Sequence, residues 1–155
     1  MKSDQKKALS MEKSKEMGRS CACFNLRKAA RAITQLYDEY FRPTGLRATQ
    51  LTLLIAARGV GPVPISKLAK GAVLDRTTLT RNLKVLEKKG LIRTETGLDR
   101  RSREVTLTDL GHKALIKAMP LWVKAQAHVK EGLGEEAMNR FLKYLSDIVS
   151  LARNK

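Results

Sequence analysis

The chain has 155 residues and a formal net charge of +16, from 31 Lys and Arg against 15 Asp and Glu. That length suits one compact domain with a modest core, or a dimer sharing its core between two chains. A hydrophobic content of 43% argues against a wholly disordered chain, and so basic a balance calls for a polyanionic partner, of which nucleic acid is the usual one.

No apolar run approaches the roughly 18–20 residues that span a bilayer, so no membrane association is expected. The first twenty residues are lysine-rich without an apolar stretch, unlike a secretory signal. Cys21 and Cys23 are too close in sequence to staple a fold, which points to a reducing, cytoplasmic setting.

Residues 1–20 read as a charged N-terminal arm, frayed or extending the helix that follows. Phe24, Ala30, Ile33, Tyr37 and Tyr40/Phe41 recur at helical spacing, and Pro43 and Gly45 end that helix. A second helix is expected from a Thr49 cap to Arg58, apolar nearly all round at LTLLIAA and therefore central. Residues 62–64 suit a short extended piece, and Ile65–Ala72 a third helix burying Ile65, Leu68 and Ala69. Asp75 caps a fourth helix, with Leu79, Leu83 and Leu86 as its buried face, Thr77, Arg81, Lys84 and Lys88 opposite, and Gly90 as the left-handed residue past its end. Leu91–Thr96 and Arg103–Thr108 read as a hairpin with a charged tip. Thr108 caps a long helix carrying Leu110, Ala114, Leu115, Ala118, Trp122, Ala125 and Val129 on one side, which Pro120 should kink. Gly132 and Gly134 are expected to break the chain before a last helix through Phe141, Leu145, Ile148 and Leu151. The domain expected is a single one over residues 21–155, without repeats or linkers.

Between Lys67 and Arg103 the basic residues are Lys67, Lys70, Arg76, Arg81, Lys84, Lys88, Lys89, Arg93, Arg100, Arg101 and Arg103, facing few acids: Asp75, Glu87, Glu95, Asp99 and the adjacent Glu104. The excess thus falls on the fourth helix and the hairpin rather than being spread as solvated lysines. Helix, turn, helix and arginine-tipped hairpin in this order form a winged helix-turn-helix, so the fold expected is mainly α with a small β-hairpin wing. The first, fifth and sixth helices have apolar faces wider than one small module can cover, and pairing across a two-fold axis would bury them. The expected division is a winged helix-turn-helix over about 46–108, with dimerisation helices over about 21–42 and 108–153.

Residues 21–152 resemble the MarR family of bacterial winged-helix regulators. The resemblance is carried by Asp99-Arg-Arg-Ser-Arg103 followed by Val105-Thr-Leu-Thr-Asp-Leu-Gly111, similar to the family's wing and the start of its fifth helix. Thr77-Thr-Leu-Thr-Arg-Asn-Leu83 and Leu86-Glu-Lys-Lys-Gly-Leu-Ile92 resemble its recognition helix and the exit from it. The resemblance implies a homodimer that represses transcription and leaves DNA on sensing a small molecule or oxidant.

On this reading Thr77, Thr78 and Arg81 meet base edges or nearby phosphates of double-stranded DNA in the major groove, where arginine grips guanine and threonine methyls touch thymine. Lys84 and Lys88 hold phosphates. Arg100, Arg101 and Arg103 sit on the wing, Arg101 matching the family arginine of the minor groove, with Asp99 as its brace.

Cys23-Phe-Asn-Leu26, with Tyr37 fourteen residues beyond Cys23, is similar to the peroxide-sensing OhrR branch. That likeness makes Cys23 the sensing thiol for an organic hydroperoxide and Tyr37 its hydrogen-bonding partner. Arg27 stands where that branch has another tyrosine, one helical turn after Cys23, and a positive charge beside a thiol favours its reactive thiolate. Cys21 has no counterpart there and could resolve a sulfenic acid on Cys23 or pair between subunits. Two reduced cysteines filling space at a dimer interface remain the plainer reading. The alternative signal is a small aromatic or phenolic ligand between the dimer helices and the DNA-binding lobe.

No glycine-rich phosphate loop, nucleophile elbow or metal motif is present, so neither an enzyme nor a cofactor is expected. Cys21, Cys23, His112 and His128 lack the paired spacing that zinc needs. The rival within DNA binding is a nonspecific architectural protein, which shares the charge but needs no separate recognition helix and wing.

Overall fold

A computed structural model of the chain describes residues 11–59, 61–97, 99 and 101–153. In chain order the elements are α1 (Met11–Ser20), α2 (Ala22–Phe41), a 3-10 turn (Arg42–Thr44), α3 (Ala48–Ala56), β1 (Val63–Pro64), α4 (Ile65–Ala72), α5 (Arg76–Lys88), β2 (Ile92–Thr96), β3 (Arg103–Leu107), α6 (Asp109–Leu133) and α7 (Glu135–Arg153). The fold is mainly helical with a small antiparallel sheet, as expected from the sequence.

The chain divides into two compact units, the first ending at Leu36 and the second running from Tyr37. That boundary falls inside α2. In the first unit the described part of the arm is ordered as α1. The helical ladder continues through the single non-helical residue between α1 and α2: the Cys21 N–H donates to Met17 O at 2.9 Å, and Cys21 O accepts from the Asn25 N–H at 3.1 Å. The Asn25 carboxamide clasps the junction, its Nδ2 lying 3.2, 3.1 and 2.9 Å from the carbonyls of Gly18, Arg19 and Cys21.

The second unit is built on leucines placed by helical period. Leu54, Leu79 and Leu86 are fully buried with Phe41, Ile92 and Val105, and Leu51, Leu53, Leu68, Leu83 and Leu115 join them. Each such burial contributes about 1.5–3 kcal/mol. The hairpin β2–β3 pairs Ile92 with Leu107 and Thr96 with Arg103. Residues 62–64 do more than extend. Val63 and Pro64 pair with Val105 and Glu104, giving a three-stranded sheet of order β1-β3-β2. A two-residue strand leaves no periodic signal in a sequence, which is why only the hairpin was legible.

Three local expectations differ. Thr49 does not cap α3: the cap position is Arg47, and the Ala48 N–H donates to the Asp38 carboxylate at 2.7 Å. A residue ten positions upstream satisfies a donor that a local cap would otherwise take. Gly132 does not break α6, which runs through it and through Pro120 to Leu133 and ends at Gly134. The apolar side expected along α6 divides: Leu115, Ala118 and Ala125 are buried with Gly111, whereas Leu110 and Trp122 are exposed.

Large apolar side chains remain exposed along α6 and α7, among them Ile116, Met119, Val123, Phe141, Leu142 and Ile148, and Phe24 and Ile33 on α2 are exposed too. Among the described residues no helix is long and apolar enough to cross a membrane.

Candidate nucleic-acid interface

The helix-turn-helix is α4, a tight turn, and α5. At the end of α4 the Leu74 N–H reaches back to Ala69 O at 3.0 Å, with Val73 in the left-handed region at φ 53°. This hydrogen-bonded stop usually takes glycine, and α5 ends the same way with Gly90 at φ 69° and the Leu91 N–H on Leu86 O at 3.0 Å.

Asp75 opens α5. Its carboxylate accepts from the Thr78 N–H at 2.8 Å and from the Thr78 hydroxyl at 2.6 Å. These bonds, the hydroxyl's first, hold the Asp75 carboxyl below its ordinary value. The anion also sits at the positive end of the helix dipole.

Behind this cap, Leu79, Leu83 and Leu86 face the core, while Thr77, Arg81, Lys84 and Lys88 are all exposed along one stripe at helical spacing. Thr78 is exposed as well, but its hydroxyl proton is committed to Asp75, leaving the methyl and the oxygen's two lone pairs for any other contact. Thr78, expected at base edges or phosphates, thus also serves the cap of its own helix.

The wing is held by its turn. The Ser102 N–H and hydroxyl both donate to Asp99 O at 2.8 Å, and the Gly97 N–H donates to Ser102 O at 3.0 Å. Asp99 Oδ1 accepts from the backbone N–H of Arg101 at 3.0 Å. Asp99 thus meets the main chain of Arg101. A Cβ at Gly97 would lie 2.3 Å from the Ser102 hydroxyl oxygen and 2.8 Å from a Glu104 carboxylate oxygen, so those side chains would have to move aside. Arg101 and Arg103 are exposed; Arg100 lies outside the described residues.

Among the described residues Arg81, Lys84, Lys88, Arg101 and Arg103 form no ion pair within the chain, whereas Arg93, Arg47 and Arg140 each have a carboxylate partner. Unneutralised cations grouped on one helix face and one hairpin tip make a surface suited to phosphates.

Wing and helix are tied together by a residue the sequence reading passed over. Glu87, on α5, accepts from the Thr94 N–H of edge strand β2 at 3.0 Å. At the other end of the wing the Thr108 hydroxyl donates to Gly90 O at 2.6 Å and accepts from the Gly111 N–H at 3.0 Å. No local pattern marks Glu87, because its partner is a backbone group on another element.

The thiol candidates Cys21 and Cys23 lie in the first unit. Cys21 and Cys23 are free and exposed, and Cys21 Sγ accepts from the Phe24 N–H at 3.4 Å. Arg27 is exposed on the same helix. The hydroxyl of Tyr37 donates to Gln126, and burial pushes that phenol's pKa up. Cys23 lies in the first unit and Tyr37 at the start of the second. His128 bonds Tyr40 at 2.9 Å, and among the described residues no three His, Cys, Asp or Glu gather to hold a metal.

The described residues of the second unit include the linings of a cavity and a groove. A cavity of about 180 Å3 between α3 and α6 is lined by Leu51, Ile55, Leu115, Met119 and Trp122, with Arg58 at its edge. A more open groove of about 570 Å3 is bounded by the 44–46 turn, Lys89, Leu91 and the first turns of α6, with Lys113 and Lys117.

Comparison with known proteins follows the same outline. A MarR family model matches residues 46–103, which span α3 to the start of β3. The solved structure of the M. tuberculosis transcriptional regulator MosR in complex with DNA is 39% identical, with a TM-score of 0.75, over 86% of this chain and 98% of that one. The transcriptional regulator SarZ of Staphylococcus epidermidis is 36% identical over 90 residues, covering 57% of this chain and 61% of SarZ, so the match spans less than two thirds of SarZ's length. AbsC of Streptomyces coelicolor, a MarR family transcriptional regulator 24% identical with a TM-score of 0.75 over 87% of this chain and 94% of that one, shares the fold.

Proposed function

The chain belongs to the MarR family, and from that premise we propose that it is a sequence-specific DNA-binding transcriptional regulator, a homodimeric repressor released from its operator by an oxidant or a small molecule. The family and fold are those of regulators, not enzymes. One observation carries the reading: a capped helix, buried by three leucines, offers Thr77, Arg81, Lys84 and Lys88 along one exposed stripe, with Arg101 and Arg103 on the wing beside it. Thr77, Arg81 and the Thr78 methyl meet base edges in the major groove. Lys84 and Lys88 hold phosphates, and Arg101 enters the minor groove with Arg103 and Arg100 beside it. MosR, the 39% identical relative, was solved with DNA, which supports this reading. A purely architectural protein needs neither the capped recognition helix nor the braced wing.

The dimer reading rests on the exposed apolar side chains of α2, α6 and α7, which a two-fold partner would bury. Two such subunits place their recognition helices for the two halves of a palindromic site. A cytoplasmic location accompanies this role.

For the signal, the exposed thiols favour an oxidant. A hydroperoxide oxidises Cys23 to a sulfenic acid and leaves as the alcohol; the Cys21 thiol then displaces water to form a disulfide. Residues two apart on a helix do not face one another, so closing that bond requires the junction clasped by Asn25 to leave helical geometry. A second signal is supported by the 180 Å3 apolar cavity edged by Arg58, of a size to hold one aromatic ring. Either works by favouring a dimer geometry that no longer matches successive major grooves.

The test is fluorescence anisotropy of a labelled duplex from the region upstream of this protein's own gene, against a random duplex at rising salt. Preference for the upstream duplex at high salt supports specific recognition; equal binding that collapses with salt supports the architectural alternative. Adding cumene hydroperoxide, then reductant, to wild type and Cys23→Ser follows. Reversible release confined to the wild type supports the thiol switch, and retained binding after verified oxidation turns the signal to the cavity.

A further inference from the structure

Lys89 adjoins Lys88 and by sequence belongs with the lysines that would grip phosphate. Its geometry is different. Lying at the C-cap of α5, it donates through Nζ to Gly45 O at 2.9 Å and to Gln50 Oε1 at 3.1 Å. The Gln50 oxygen also accepts from the Arg47 N–H at 3.2 Å. Arg47 in turn reaches Asp38 Oδ2 at 2.9 Å through its guanidinium, and the other Asp38 oxygen takes the Ala48 N–H at 2.7 Å. An unbroken polar chain therefore runs from the end of α2, through the first turn of α3, to the C-cap of the recognition helix.

We propose that Lys89 is a positioning residue: through Gln50 and Gly45 it locks the C-terminal end of the recognition helix to α3, and it does not bind DNA phosphate. The proposal rests on α5 being the recognition helix. Asp75 fixes one end of α5 and Lys89 the other. The leverage is large, because a helix of 13 residues is about 20 Å long and a tilt of about 10° moves its far end by roughly 3 Å, close to the spacing of successive base pairs. An ammonium that already serves two carbonyl-type acceptors on the protein also gives them up if it turns to a phosphate.

The test is anisotropy on the upstream duplex and on a random duplex across a salt series, for wild type, Lys89→Met, Gln50→Leu and the double variant, with far-UV circular dichroism on each. Gln50 carries no charge, so its loss removes no phosphate contact. Positioning predicts that each single change weakens binding to the upstream duplex roughly three- to tenfold, that the double is no weaker than the worse single, and that the slope of log affinity against log salt stays at the wild-type value. A slope lowered by about 0.9 per subunit in Lys89→Met, seen on the random duplex as well, overturns the proposal in favour of a phosphate contact. Unchanged affinity in Lys89→Met overturns it outright. The salt slope of Lys89→Met decides alone if Gln50→Leu does not fold. Failure of the wild type to prefer the upstream duplex over the random one overturns the regulator reading, and the proposal with it; the outcomes above are read only where that preference exists.

Discussion

Gly111 and Gly132 lie in the same helix, α6, and the same substitution should act on them in opposite directions. A Cβ at Gly111 would stand 2.1 Å from the Leu91 carbonyl oxygen and 2.9 Å from a Leu107 methyl, whereas at Gly132 it would meet nothing within 4 Å. Relief at 111 requires α6 to retreat from the main chain of residue 91 by about an ångström or more. That retreat breaks the Thr108 N–H bond to Leu91 O at 3.1 Å and the Thr108 hydroxyl bond to Gly90 O at 2.6 Å. Overpacking costs about 1–3 kcal/mol, the two bonds about 1 kcal/mol each, and alanine returns about 1 kcal/mol of helix propensity. The net loss is roughly 2–4 kcal/mol, or on the order of 10 °C in melting temperature for a chain of this size. Gly132→Ala keeps only the propensity gain, up to about 1 kcal/mol. Urea unfolding followed by far-UV circular dichroism, at one fixed protein concentration, measures both. A Gly111→Ala protein as stable as wild type would refute the close approach of α6 to the wing.

Further outcomes follow from the turn, the cap and the charged stripe. Val73, a β-branched residue at φ 53°, bears a left-handed strain of about 1–2 kcal/mol; Val73→Gly removes it against about 0.5–1 kcal/mol of chain entropy, so the urea midpoint should rise, and a lower midpoint contradicts the strain. Asp75's carboxyl is held below its ordinary value by Thr78's hydroxyl and N–H, so its contribution to stability is full above the ordinary carboxylate range and is lost as pH falls through the depressed value. The stability gap between wild type and Asp75→Ala should therefore be widest near neutrality and close in acid; a gap independent of pH excludes the charged cap. Arg101→Ala should weaken operator binding by about 1–3 kcal/mol if the side chain reads a groove, and unchanged affinity removes the wing from the interface. Lys88→Gln should weaken operator and random duplex alike and lower the salt slope by about 0.9 per subunit; a loss confined to the operator would make Lys88 a base contact.

Much of the helix-turn-helix and wing was legible in the sequence because its determinants are local. Asp75, the leucines at 79, 83 and 86, and Gly90 satisfy, bury or terminate one helix within their own turns, so periodicity and capping chemistry place α5 without knowledge of its neighbours. The same holds for Thr108 at the start of α6 and for the two longer strands. What the sequence could not decide are pairings between elements. The cap of α3 comes from Asp38 ten residues away, β1 exists only because β3 lies beside it, and Glu87 serves a backbone N–H of β2. Lys89 looked like one more basic residue until Gly45 and Gln50 stood next to its ammonium. Local energies write themselves into spacing; contacts between distant segments are set by how the helices cross, and only the folded chain brings those partners within bonding distance.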